Sequence, residues 1–209
     1  MRTAVCGLVC VLTLALAASR VSAANLITNP GYESGTLPPW TELYNYPDGY
    51  AVGTCCLITV ESADNGPSAA GTRNVNLYVQ YETVGGHRAR TFLYQKTANG
   101  TAVPGTVNYS FDLRDANPVS GGELRASIFS RNSADLDIGS PVGLGPFSRP
   151  HASGWTTISG SFVAPAGTDH LVIQFEAYAD IPAAAAFMHV DNVSLEQPVP
   201  VEVSGFTIE

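Results

Sequence analysis

Apolar and polar residues alternate in this chain in several separate runs, with turn chemistry between them, and this pattern constrains the fold most. Val75-Asn76-Leu77-Tyr78-Val79-Gln80-Tyr81 shows it, as do the runs Val107–Arg114, Glu123–Ile128 and Leu171–Tyr178. A period of two places alternate side chains on opposite faces of an extended strand. Gly85-Gly86, Asn99-Gly100, Pro104-Gly105, Gly121-Gly122 and Pro165-Ala166-Gly167 separate the runs with turn or loop signals. No long segment beyond the N-terminal leader carries apolar residues at helical spacing. The nearest, Pro182 to Phe187, is an alanine run after a proline, too short to stand as a helix. Strands without intervening helices predict an all-β sandwich. One face of each strand is then packed, and the other is wet or faces a ligand. In the last two runs the polar positions are Glu123, Arg125, Gln174, Glu176 and Tyr178. They suit either a binding surface or the charges that keep a sheet soluble.

The N-terminus predicts export. Arg2 precedes an apolar run from Ala4 to Ala18, then Ser19, Arg20 and Val21-Ser22-Ala23. A charged start, a short apolar core and a small-residue end describe a signal peptide over residues 1–23, cut just before Ala24 or Asn25. The run falls short of the ~20 residues a spanning helix needs. The expected product is secreted and extracellular, with no membrane contact after cleavage. Residues 24–197 fit one domain able to bury a core. Pro198-Val199-Pro200-Val201 opens an extended tail to Glu209, in which Val203–Ile208 reads as one further strand. Asn132–His151, rich in Ser, Gly and Pro, reads as a long loop.

The net charge is −8 and Lys96 is the only lysine. Such a surface excludes nucleic acid held through its phosphates and suits a neutral partner or a bound cation. Cys6 and Cys10 leave with the leader, so the mature pair is Cys55-Cys56. Adjacent Cα atoms lie ~3.8 Å apart, below the usual disulfide span of ~4.4–6.8 Å. Two thiols in a strand are therefore expected, and the fold must rest on its core.

Signatures of catalysis are missing. The sequence holds no G-x-S-x-G and no H-E-x-x-H. His87, His151, His170 and His189 are scattered without metal-ligand spacing. Any two of Glu123, Glu176, Asp112 and Asp115 would supply a carboxylate pair, but acids without site geometry carry little weight. A non-enzyme is expected.

Three stretches point together to one family. They are Asn25-Leu26-Ile27-Thr28-Asn29-Pro30-Gly31-Tyr32-Glu33-Ser34-Gly35 with Trp40 beyond, Gly154–Pro165, and the closing Phe187–Glu196. The chain resembles carbohydrate-binding modules of families four and nine, over nearly all of residues 24–197. The resemblance implies a galactose-binding-domain-like jelly roll and a polysaccharide partner of the β-glucan or xylan class. It implies a monomer and a structural Ca²⁺ held by the carboxylates of Glu33 and Asp191 and the carbonyl of Gly31. A further carbonyl is expected near Gly71 or Thr72, and Asn192 stands where the family often has a second Asp. Hard oxygen ligands are what Ca²⁺ takes.

In the resembling modules, aromatics line the cleft from the loop after the opening motif and from one sheet. Tyrosine suits a sugar because its body is apolar and its tip polar. Tyr44, Tyr46, Tyr81, Tyr94, Gln95 and Arg125 are the candidate sugar-binding residues on that basis. Tyr44 and Tyr46 share a strand face, core or cleft. Trp40, Trp155, Tyr109 and Phe111 are expected in the core. An extracellular structural domain of the same fold, without a working cleft, is the alternative. Asn99-Gly100-Thr101, Asn108-Tyr109-Ser110 and Asn192-Val193-Ser194 are glycosylation sequons where the host uses that pathway.

Overall fold

The computed structural model describes residues 23–45, 56–62, 71–80, 89–118, 122–147, 154–179 and 185–198. Residues 1–22, Tyr46, Cys55, Tyr81, Asp115's side chain and residues 199–209 lie outside them. The elements are β1 (Thr41–Asn45), β2 (Cys56–Glu61), β3 (Asn74–Gln80), β4 (Ala89–Lys96), β5 (Gly105–Pro118), β6 (Gly122–Arg131), β7 (Val142–Leu144), β8 (Thr156–Ala164), β9 (His170–Ala179) and β10 (Ala185–Glu196). All pairings are antiparallel. They build two five-stranded sheets, in the orders β1-β4-β9-β6-β7 and β2-β3-β10-β5-β8. No helix occurs among the described residues. This is the all-β sandwich that the alternation predicts, of the jelly-roll type that the resemblance implies.

The core lies between the sheets and comes from one parity of each strand. Val75, Leu77 and Val79 of β3, Phe111 and Leu113 of β5, and Met188 and Val190 of β10 face Leu93 of β4, Leu124 and Ile128 of β6, and Ile173 and Phe175 of β9. A chain of rings crosses the middle. Phe111 meets Phe175 edge-on at 5.1 Å, Trp40 stands 6.2 Å from Phe175, and Tyr32 stands 5.3 Å from Trp40. The edge-to-face contact of Phe111 with Phe175 adds about 0.5–1.5 kcal/mol to the area it buries.

The opening segment joins the two sheets. Leu26 donates its N–H to Leu195 O of β10 (2.8 Å), and Val193 N of the same strand donates to Pro30 O (3.0 Å). On the other sheet, Gln95 of β4 holds both backbone groups of Thr28. Its Oε1 accepts from Thr28 N (2.7 Å) and its Nε2 donates to Thr28 O (2.8 Å). The turn that follows is tight: Asn29 and Tyr32 have φ of 50° and 57°. Bulky residues rarely take that conformation, and Tyr32 is held there by complete burial of its ring.

Two expectations need correcting. Asn132–His151 is not loop throughout, because Val142–Leu144 pairs with β6 as a short edge strand. Three residues are too few to display a period. Trp155 is half-buried rather than core. It precedes Thr156, whose partner Leu113 faces inward, so the indole falls on the outer side, where the Arg114 guanidinium lies 5.1 Å from its ring. The alanines of Pro182–Phe187 that are described, Ala185 and Ala186, open β10. Cys56 is buried in β2.

Candidate functional site

Register fixes which side chains share the outer face of the sheet β1-β4-β9-β6-β7. Arg90, Tyr178 and Glu123 form one row across β4, β9 and β6. Phe92, Glu176 and Arg125 form the next, with Leu43 of β1 beside Phe92. Tyr94, Gln174 and Ser127 form the third, with Thr41 at its edge. Rows are about 7 Å apart along the strands and neighbours within a row about 5 Å apart. The face is thus an aromatic and apolar strip on the β1–β4 side, merging into a charged patch over β9 and β6.

The charged patch is hollow. Arg90, Glu123, Arg125, Glu176 and Tyr178 line a pocket of about 240 Å³. Arg90 Nη1 donates to Glu176 Oε1 at 3.2 Å, and its guanidinium carbon sits 4.3 Å from the Tyr178 ring centroid. Arg125 pairs with Glu123. These ion pairs are half-exposed and contribute little stability. Their consequence is orientation: a guanidinium fixed by a carboxylate on one side presents its remaining N–H groups on the other. Two guanidiniums and two carboxylates beside the Tyr178 ring offer fixed donors and acceptors next to apolar surface.

The candidate residues divide. Tyr94 and Arg125 stand on this outer face. Gln95 has the opposite parity, is 2% exposed, and spends its amide on Thr28. Tyr44 pairs in register with inward-facing Thr91 and packs half-buried against the core. Its hydroxyl donates to Glu42 Oε2 at 2.5 Å, and burial, then that carboxylate, push the phenol up. Tyr46 and Tyr81 lie outside the described residues. Arg90 and Phe92 are additions from the structure. The polar positions Glu123, Glu176 and Tyr178 were visible in the alternation, whereas β4 hid its face by turning Thr91 and Gln95 inward.

The remaining acids behave differently. Asp112 is fully buried, accepting from Thr157 Oγ1 (2.6 Å) and Asn192 Nδ2 (2.7 Å). Asp191, its partner in register, is also fully buried, and its Oδ1 accepts from Asn192 N at 2.7 Å. Neither lines the pocket.

Gly31, Glu33 and Asp191 do come together. A Cβ added at Gly31 would stand 3.3 Å from Asp191 Oδ1 and 3.7 Å from Glu33 Cγ. At Gly71 it would fall 2.0 Å from Glu33 Oε1, so only glycine lets that carboxylate in. Glu33 Oε1 accepts from Thr72 N (2.8 Å) and Arg73 N (2.9 Å). The oxygens nearest Gly31 are Asp191 Oδ1 and Asn192 Oδ1, while the Glu33 carboxylate is turned to the Thr72 and Arg73 N–H groups; oxygen ligands are what a hard divalent cation takes. Among the described residues no three His, Cys, Asp or Glu side chains cluster as metal ligands, so backbone carbonyls and water would complete any shell. The Tyr32 hydroxyl is buried here without a partner, and burial, then the Asp191 charge, raise its pKa well above the ordinary value.

No protein-family model and no curated protein matches the sequence. Solved structures do match. The enzymatically active domain of tailspike protein 4 from bacteriophage CBA120 is similar at a TM-score of 0.60 and 16% identity, over 82% of this chain and 21% of that one. The Stig cyclase Fisc of Fischerella sp. TAU is similar at 0.54 and 18%, over 85% and 100%. A carbohydrate-binding module of the β-sandwich superfamily is similar at 0.52 and 14%, over 80% and 60%. This chain therefore spans about a fifth of the tailspike chain it matches. What these likenesses show is the fold: a β-sandwich of the kind found in carbohydrate-binding modules.

Proposed function

We propose that this chain is a secreted, non-catalytic module that binds a neutral polysaccharide of the β-glucan or xylan class, in the manner of families four and nine. The ligand lies on the outer face of β4, β9 and β6. Tyr94, Phe92 and Tyr178 supply apolar faces, and Arg90, Arg125, Glu123 and Glu176 supply hydrogen bonds. The observation that carries this reading is the pocket in which two arginines, two glutamates and a tyrosine meet on one open sheet face. Charges there cancel pairwise, which suits an uncharged glycan. Glu33, Asp191 and the Gly31 carbonyl are proposed to hold a structural calcium ion, which would cross-link the opening turn to β10. The module acts as a monomer outside the cell.

A second reading rests on Glu123 and Glu176. They are diagonal neighbours across β6 and β9, a relation that separates Cβ atoms by about 7–8 Å and lies within reach of the spacing glycosidases use. Each acid is engaged by an arginine, and this favours binding over acid–base work.

Residues 24–209 are to be run by affinity electrophoresis through xylan, mixed-linkage β-glucan and mannan, with calcium and with chelator. Retardation by one glycan, lost in Tyr178→Ala and Arg125→Ala, is the expected result. Unretarded migration in every glycan would leave the structural-domain alternative standing. Release of reducing sugar during incubation would replace the binding module with a hydrolase.

A further inference from the structure

We infer that Asn99 is an N-linked glycosylation site and that Asn192, despite its sequon, is not. This rests on the export proposed above. Both asparagines begin an N-x-S/T triplet, so only their surroundings distinguish them. Asn99 lies at the tip of the connection between β4 and β5, where Ala98, Asn99, Gly100 and Thr101 are all exposed. The turn is closed by Thr101 N donating to Ala98 O (3.3 Å) and by Gly100 at φ 73°. Thr101 Oγ1 donates to Ala98 O at 2.5 Å. Nothing stands within 4 Å of a Cβ placed at Gly100. An exposed turn with space around it is where a bulky sugar costs the fold nothing.

Asn192 is the reverse case. Its Nδ2, the atom that a sugar would take, donates to the fully buried Asp112 Oδ2 at 2.7 Å. Its backbone has φ 49°, a conformation asparagine tolerates better than most residues. A sugar on that nitrogen would push into β5 and disturb a buried carboxylate, so a glycosylated chain could not close this part of the sheet.

Transfer needs a polyprenyl-pyrophosphate-linked oligosaccharide as co-reactant. A bond forms between Asn99 Nδ2 and the sugar's anomeric carbon, that carbon's bond to the pyrophosphate oxygen breaks, and one amide proton is released with the pyrophosphate as leaving group. No electrons are exchanged. Arg90 and Lys96 are separated by about 20 Å along β4, and Asn99 lies beyond Lys96. The glycan therefore sits at the end of the sheet away from the pocket and leaves it open.

The full chain, with its own leader, is to be produced in a eukaryotic secretory host. Intact mass is read before and after peptide N-glycosidase, with sites mapped by peptide. The expected result is an enzyme-removable mass on Asn99, absent from Asn99→Gln, with Asn192 unmodified and glycan retardation equal in the two proteins. An unmodified Asn99 in the secreted protein, or a glycan on Asn192 of folded protein, overturns the inference. Absence of protein from the medium refutes the reading of the leader instead, and the same mapping with a substituted leader then decides the glycosylation site.

Discussion

Gln95 separates a structural role from a sugar-binding one. It is buried between the β4 backbone and the opening segment, and both of its amide atoms are bonded to Thr28. Replacing it with alanine removes two hydrogen bonds and leaves the Thr28 N–H and C=O without those partners. Each such bond contributes about 1 kcal/mol net, and an unsatisfied buried group costs about 1–3 kcal/mol. Part of the loss is recovered where water reaches Thr28, which is exposed on one side. A total near 3 kcal/mol is expected, which for a chain of this size lowers Tm by about 6–12 °C. Gln95→Glu should do at least as much harm, because a carboxylate cannot donate to Thr28 O. Scanning calorimetry reads the stability, and affinity electrophoresis below the transition reads binding. Expected is a large fall in Tm with unchanged retardation of the folded protein. An unchanged Tm with lost retardation would refute the reasoning, placing Gln95 at the ligand.

Further outcomes follow from the other polar clusters. Asp135 accepts from the Nε2 side of buried His170 (2.8 Å), from Lys96 (3.1 Å) and from Arg131 (3.3 Å), and is drawn down to about 2, chiefly by His170; Asp169 is lowered by the same ring. Folded values below the unfolded ~3.9 mean stability that is present above that pH and lost as the pH falls toward 2. Melting temperature should therefore decline across this window, and Asp135→Asn should flatten the decline; an unaltered slope contradicts the assignment. Tyr32→Phe removes a buried hydroxyl that has no partner, so Tm should stay level or rise by the equivalent of about 1 kcal/mol, and a clear fall would mean the hydroxyl has a partner in solution. Chelator should lower the Tm of the wild type, since a ligand at 100 times its Kd adds about 2.7 kcal/mol. Glu33→Gln and Asp191→Asn should remove that response, and a chelator effect that survives both would place the cation elsewhere.

The alternation made most of the sandwich legible. Val75–Tyr81, Val107–Arg114, Glu123–Ile128 and Leu171–Tyr178 correspond to β3, β5, β6 and β9. On β6 and β9 the polar parity also exposed Glu123, Arg125, Glu176 and Tyr178 before any coordinates. Strand β4 was opaque for a physical reason. It buries Thr91 and Gln95, and turns Phe92 and Tyr94 outward, so chemistry and direction run opposite to the usual rule. Gln95 beside Tyr94 then looks sugar-facing when successive residues must point opposite ways. Tyr44 misleads similarly: an aromatic near the opening motif need not share the face of Tyr94, and its partner Thr91 puts it inside. Asp112 has outward parity yet is buried, because Thr157 and Asn192 fold over its carboxylate. Long-range closure of that kind leaves no local trace.

The most direct test of the central claim compares the two outer faces by isothermal titration with the glycan that retards the protein. Tyr178→Ala and Glu176→Ala change the pocket on β9, while Ser159→Ala and Glu196→Ala change the serine-lined hollow of the opposite sheet. The account predicts that each pocket substitution weakens binding at least tenfold, about 1.4 kcal/mol, while the opposite pair leaves it within twofold. Equal affinity in all four variants, or loss confined to Ser159 and Glu196, would contradict the assignment of the β4-β9-β6 face.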